Sequence, residues 1–305
     1  MKLTRRDLGK LALAVLPGAG VSGTATRAWA QSPVSRPNSK FAGVQVGMNV
    51  PYNFGSRDMN ADELLDRCLK LNVSAVEMRS QPVETFLGSP AANGQKAPAA
   101  DLRKWRAALS MDRVAPFRKK FEDAGVALEI VKIDGIYTMP DEEVDYCFNL
   151  ARTLGARAIS CEIDVKHTQR IGQFADKHKM MVGYHGHATT TPAHWETAFG
   201  QAKYNGANLD LGHFLAGNNT SPVPFLRTHH ARITHVHVKD RKLKEGPNTP
   251  FGQGDTPIRE ALQAIRDNKW PIQATIEFEY PVPPGSDRMT ELAKCVEFCR
   301  VALLA

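Results

Sequence analysis

From Phe41 onward the chain repeats one pattern, a short apolar run followed by a longer stretch in which apolar positions recur at helical spacing. The runs FAGVQVGMNV, VSAVEMR, VALEIVKID, ARAISCEID, MMVGYHGH, GANLDLGH, ITHVHVKD and IQATIEFEY predict eight strands. ADELLDRCLKLN, with Asn60 as N-cap, is the first helix, and DRVAPFRKKFEDAG, PDEEVDYCFNLARTLG, TQRIGQFADKHK, PAHWETAFGQAK, PVPFLRTHHA and PIREALQAIRDNK continue the series. A last helix runs from about Asp287 to Leu304. Several helices stop at Gly just before the next apolar run, as in EDAG and RTLG, which is how a helix hands over to a parallel strand.

Eight strand-helix units in strict alternation, with the strands apolar and buried on both faces, predict an α/β fold of the (β/α)8 TIM-barrel type. A doubly wound open sheet is the alternative, but no Gly-rich phosphate loop follows any strand. Two connections are long. Residues 80 to 109 follow the second strand and are expected to form either a lid over the barrel mouth or a surface excursion. Residues 241 to 256 follow the seventh strand.

In a parallel barrel the chemistry sits at the C-terminal ends of the strands, so position along a strand tests each candidate. Glu162, His185, Asp210, His237 and Glu277 all stand there. His187, His213, Lys239, Asp240 and Glu279 lie just beyond. His235 and His237 share a face by alternation, and His237 is nearer the rim. Alternation does not separate Glu277 from Glu279. Gly212 lets the chain turn between Asp210 and His213, so His213 is expected to return as a partner of Asp210 or a substrate contact. Lys239 could hold an oxyanion, although solvating the rim is the simpler role. Acids and imidazoles gathered at successive strand ends suit one divalent ion bound by mixed oxygen and nitrogen donors, such as Mn, Mg, Co or Zn.

Composition narrows the setting. The first thirty residues are read as a leader: Arg5-Arg6 with Leu8 and Lys10, the apolar run LALAVLPGAG and the small-residue site Ala28-Trp29-Ala30 resemble a bacterial twin-arginine signal cleaved after Ala30. That resemblance implies passage through the twin-arginine export machinery and a periplasmic protein, and the apolar run is too short and broken for a permanent membrane anchor. Residues 31–40 form a polar, Pro-rich, flexible lead-in, and 41–305 a single barrel domain. The leader holds five basic residues against Asp7, so the formal +7 falls to about +3 without it, too mild to suggest nucleic acid. Five cysteines with no C-x-x-C pair argue for packed thiols rather than a disulfide framework.

LDLGHFLAG, HVHVKD, FGQGDTPI and IEFEY together resemble the xylose-isomerase-like barrel superfamily of sugar isomerases, epimerases and dehydratases, which also contains endonuclease IV. The resemblance covers the whole chain after the leader. It implies a divalent metal held by one Asp, one His and two Glu, and three of these fall on Asp210, His237 and Glu277. The fourth departs from the pattern, because His185 stands where many relatives carry Glu. Glu162 is taken as the fourth ligand, with the alternative that His185 coordinates and Glu162 is the acid or base. The loop GPNTPFGQG lacks the His and Asp of a nuclease metal cluster, which points to a single ion.

The function this implies is isomerisation or epimerisation of an unphosphorylated sugar or keto-sugar through an enediolate. Glu162, Glu277, His185 and His187 are the proton-moving candidates, and His213 and Lys239 the substrate contacts. A lyase or hydrolase of keto-glycosides on the same metal, or a non-catalytic metal- or sugar-binding protein, are the alternatives. A homo-oligomer is an expectation drawn from relatives, and no helix identifies its interface.

Overall fold

The computed structural model describes residues 36–305 apart from 57, 58 and 93. The leader read over 1–30 and residues 31–35 of the lead-in lie outside the described residues. Eight parallel strands close on themselves: β1 (Val44–Val50), β2 (Ala75–Arg79), β3 (Ala127–Lys132), β4 (Ala158–Glu162), β5 (Met181–His185), β6 (Asn205–Asp210), β7 (Ile233–Val238) and β8 (Gln273–Ile276). Each pairs with the next, and β8 pairs back to β1 with Val46 opposite Ala274 and Met48 opposite Ile276. The chain therefore folds as a TIM barrel, as the alternation predicts.

The helices lie between strands: α1 (Ala61–Lys70), α2 (Ser80–Phe86), α3 (Ala99–Ala108), α4 (Ala115–Asp123), α5 (Asp141–Thr153), α6 (Thr168–His178), α7 (Pro192–Gln201), α8 (Leu211–Asn218), α9 (Val223–His229), α10 (Ile258–Asp267) and α11 (Arg288–Leu304). At the start of α1 the Asn60 side chain accepts from the Asp62 and Glu63 amides while Glu63 reaches back to the Asn60 amide, a reciprocal cap. Among the described residues no helix is long and apolar enough to cross a membrane. All five cysteines are buried free thiols.

Strand alternation decides what fills the barrel. Val46, Met48, Val76, Met78, Val131, Ile159, Val182, Leu209, Val236 and Ala274 are fully buried and belong to the apolar core beneath the helices. The interleaved positions are equally buried but polar: Asn49, Glu77, Lys132, Ser160, His185, Asn208, Asp210, His235, His237, Gln273 and Thr275. The expectation of strands apolar on both faces is corrected here. The helix-facing side is apolar, whereas the inward side mixes a few apolar residues such as Ala75, Ile130 and Ala158 with polar groups that must find partners inside.

Within the lead-in, Ser39 is packed between the exposed Asn38 and Lys40. Ser39 is fully buried, its hydroxyl donates to the Val46 carbonyl at 2.6 Å, and Lys40–Phe41 pairs antiparallel with the start of β1. The 80–109 connection folds into α2 and α3 and is tied to α5. The Arg106 guanidinium lies buried between Glu84, at 2.8 and 3.0 Å, and Glu143, at 2.9 Å, and the Tyr146 hydroxyl donates to Glu84 at 3.1 Å. The loop after β7 is organised by Asp240, which accepts from the amides of Gly252, Gly254 and Thr256 at 2.7, 2.9 and 3.2 Å. A Cβ at Gly254 would fall 1.9 Å from Asp240 Oδ1, so only glycine lets the loop approach. Asp240 is thereby engaged with backbone and leaves the set of candidate ligands.

Arg106→Ala would leave Glu84 and Glu143 buried without their cation. Its expected cost is about 3–5 kcal/mol in urea unfolding, against a near-neutral Lys70→Ala on the exposed face of α1.

Candidate metal centre

The register builds the site. It sets Glu162 beside His185 across β4 and β5, and Asp210 beside His237 across β6 and β7. Glu277 directly follows β8, its amide donating to the Val238 carbonyl at 3.1 Å. At the axis four buried side chains converge, His185, Asp210, His237 and Glu277, with one donor atom from each inside a 4.8 Å span. His237 Nδ1 is 3.1 Å from Glu277 Oε2 and 3.9 Å from Asp210 Oδ2. His185 Nε2 is 3.6 Å from Asp210 Oδ2 and 3.7 Å from Glu277 Oε2. Donors sharing an ion at about 2.1 Å lie roughly 3–3.5 Å apart, so a small inward movement would bring this set to bonding distance.

Of the donor atoms, His185 Nε2 has no hydrogen-bond partner among the described residues, Asp210 Oδ2 has only the ion pair with Lys239 at 3.1 Å, and His237 Nδ1 has only the Glu277 carboxylate 3.1 Å away. Such under-satisfied groups are costly to bury, and a shared cation is one remedy that satisfies all three. Each remaining donor position is already used. Asp210 Oδ1 accepts from the His213 amide at 2.7 Å, which caps α8, and Glu277 Oε1 accepts from Asn49 Nδ2 at 3.0 Å. The donor set fits a divalent ion.

Glu162 stands outside this quartet. Its Oε2 lies 2.9 Å from His185 Nδ1 and 2.8 Å from His187 Nε2, and its Oε1 accepts from the Lys132 ammonium at 2.5 Å. Burial opposes its ionisation, but hydrogen bonds from His185 and His187 and the charge on Lys132 outweigh this and hold it far below the usual carboxylate range. The same hydrogen bond raises His187 above an ordinary histidine. Of the two alternatives for the fourth ligand, the geometry places His185 with Asp210, His237 and Glu277, and Glu162 behind His185. His187 is about half exposed at the open mouth.

Lys239 does not solvate the rim. It is 1% exposed, and its ammonium lies 2.8 Å from Glu277, 3.1 Å from Asp210, 2.7 Å from Glu279 and 2.8 Å from His213 Nε2. Burial would strip its proton, yet the three carboxylates hold it charged. It in turn keeps Asp210 ionised against the cost of burial. Lys239 also bridges Glu279 to the quartet, and Glu277 is the one of the two glutamates grouped with His185, Asp210 and His237. Glu279 instead accepts from the Tyr52 hydroxyl at 2.7 Å and borders a cavity of about 450 Å³ lined by Tyr52, Ser56, Asn248, Phe278 and Arg288. His213 is clamped between Lys239 and Arg241, whose Nη1 is 2.8 Å from Nδ1, and burial lowers it to about 4, so the ring is neutral.

Glu77, Lys132, Asn49 and Asn208 were missed by inspection of strand ends. Glu77 and Lys132 are fully buried charges within the strand runs VSAVEMR and VALEIVKID, a signal available to a search of strand interiors.

The family model described as xylose isomerase-like TIM barrel matches residues 65–300, and the chain belongs to that family. No curated protein sequence matches it. Among solved structures, it resembles a sugar phosphate isomerase/epimerase from Parabacteroides distasonis, at 15% identity over 90% of this chain and 100% of that one, TM-score 0.60. A probable 3-DHS dehydratase from Bacillus anthracis superposes at 13% identity over 83% and 98%, TM-score 0.62. A xylose isomerase-like TIM barrel protein from Mycobacterium smegmatis in complex with magnesium does so at 15% identity over 87% and 98%, TM-score 0.60. At these identities the likeness shows the fold.

Proposed function

We propose that this chain is a divalent-metal-dependent sugar isomerase or epimerase. The observation that carries the reading is the convergence of buried donors on His185, Asp210, His237 and Glu277, within 4.8 Å of one another, with Lys239 beside the two acids. The magnesium complex of the Mycobacterium smegmatis relative and the activity named for the Parabacteroides distasonis relative support it. The leader reading adds that the protein is exported to the periplasm, where an unphosphorylated sugar or keto-sugar is the expected substrate.

His185, Asp210, His237 and Glu277 would hold the ion. When bound, it would supply Lewis-acid polarisation of a carbonyl and its neighbouring hydroxyl. The protein's own groups do the rest. His187, half exposed and anchored by Glu162, is the side chain placed to take and return the proton beside the carbonyl. Glu162 is fully occupied by two imidazoles and Lys132, so it orients rather than exchanges protons. Lys239 offers a buried positive charge to the oxygen on which negative charge develops. The cavity beside Glu279 is within the size range of small-ligand sites.

Metal content separates the ligands from their supports. Asp210→Asn and His185→Ala are expected to abolish stoichiometric Mn2+ uptake, whereas Glu162→Gln keeps one ion per chain with affinity reduced about tenfold. Equal loss in all three would restore Glu162 as a ligand. His187→Asn is expected to retain the ion while kcat falls about 10²- to 10⁴-fold. A panel of free sugars and keto-sugars with Mn2+ in deuterated water tests the reaction. Deuterium entering a product of otherwise unchanged mass supports isomerisation or epimerisation, while a product lighter by water marks a lyase.

A further inference from the structure

Below the quartet, toward the bottom of the barrel, lies a second group with no exposed surface, Glu77 on β2 and His235 and His237 on β7. His237 Nε2 is 2.6 Å from Glu77 Oε2, and His235 Nε2 is 3.3 Å from Glu77 Oε1. His235 Nδ1 is in turn 2.8 Å from the Thr234 hydroxyl. Asn208 Nδ2 also faces His237 Nε2, at 3.0 Å, but an amide N–H donates and cannot take a proton from that nitrogen, so the acceptor beside Nε2 is the charged Glu77.

We propose that Glu77 is the positioning residue for His237. By accepting the Nε2 proton it leaves Nδ1 as the lone-pair nitrogen and aims it at Asp210 and Glu277, while the buried His235 ring stands 3.3 Å from the second carboxylate oxygen. The inference rests on the metal reading of the quartet. It assigns the two ligand histidines opposite nitrogens: His185 binds through Nε2 because Glu162 takes its Nδ1 proton, and His237 binds through Nδ1 because Glu77 takes its Nε2 proton. The two supports differ in setting. The Glu162 side chain is 47% exposed, whereas Glu77 has no contact with solvent, so nothing from water can replace it.

Co2+ titration of Glu77→Gln against the wild type tests this. The dissociation constant is expected to rise about 10- to 100-fold and the visible Co2+ bands to shift, as a purely structural role would not require. The melting temperature of each metal-free protein shows whether the variant is folded. On the wild type loaded with Zn2+, ¹⁵N-histidine spectra are expected to show His237 protonated at Nε2 and bound through Nδ1. This second measurement decides the matter if Glu77→Gln does not fold. An unchanged Co2+ affinity and spectrum in a folded Glu77→Gln, or His237 bound through Nε2, overturns the proposal while leaving the metal site intact. Wild type that takes up neither ion overturns the metal reading and this inference with it.

Discussion

Everything at this site depends on the need to pair charge inside a barrel whose axis is polar. Alternation sends most of the aliphatic residues of each strand outward to the helices, so the polar groups that remain at the centre cannot be satisfied by packing. Five carboxylates gather there, Glu77, Glu162, Asp210, Glu277 and Glu279, against two lysines, Lys132 and Lys239. Each lysine is buried and held charged by the acids around it, and Glu77, Glu162, Asp210 and Glu277 are held ionised by their basic neighbours. The arrangement is locally paired but keeps a surplus of negative charge on the axis. A divalent cation at the quartet is the simplest group that would neutralise it.

The barrel divides this surplus into two environments. The lower one is dry: Glu77 and its two histidines have only each other and their immediate neighbours. The upper one is open, and Glu162 shares its oxygens with His187, which faces solvent. The dry half suits groups that must not move, because low dielectric strengthens the hydrogen bonds that fix them. The open half suits a group that must exchange protons with a ligand. His185 spans the two, with one nitrogen on Glu162 and the other directed at Asp210.

Much of the fold was legible because the period of the apolar positions switches cleanly between strand and helix, and the Gly stops mark each handover. Asp210, His237 and Glu277 were legible as strand-end residues for the same reason. The rest was not, because the difference between a ligand and the group behind it is a matter of depth, and depth along the barrel axis has no linear signature. Glu162 and His185 are neighbours in register at the ends of adjacent strands, so position alone gives them equal claim. Glu77 lies mid-strand in an apolar run and was passed over as part of the core. Lys239 looked like a rim residue because it follows β7, yet its long chain folds back over the axis.

The histidine at the end of β5 has a further consequence for the ion. With His185 in place of a glutamate, the quartet offers two nitrogens and two carboxylates, which together match the charge of a divalent ion, where a third carboxylate would exceed it. Lys239 is already shared between both acids, so a further carboxylate at β5 would add to the negative surplus, and a neutral imidazole suits the site by charge as well as by donor chemistry. Nitrogen donors favour Mn, Co or Zn relative to Mg, which prefers oxygen ligands and retains its water. Glu162 strengthens that preference, because a carboxylate accepting the Nδ1 proton makes the opposite nitrogen of His185 a better donor. The departure at β5 and the carboxylate behind it thus act together, and on the proposed metal reading both would favour the borderline metals.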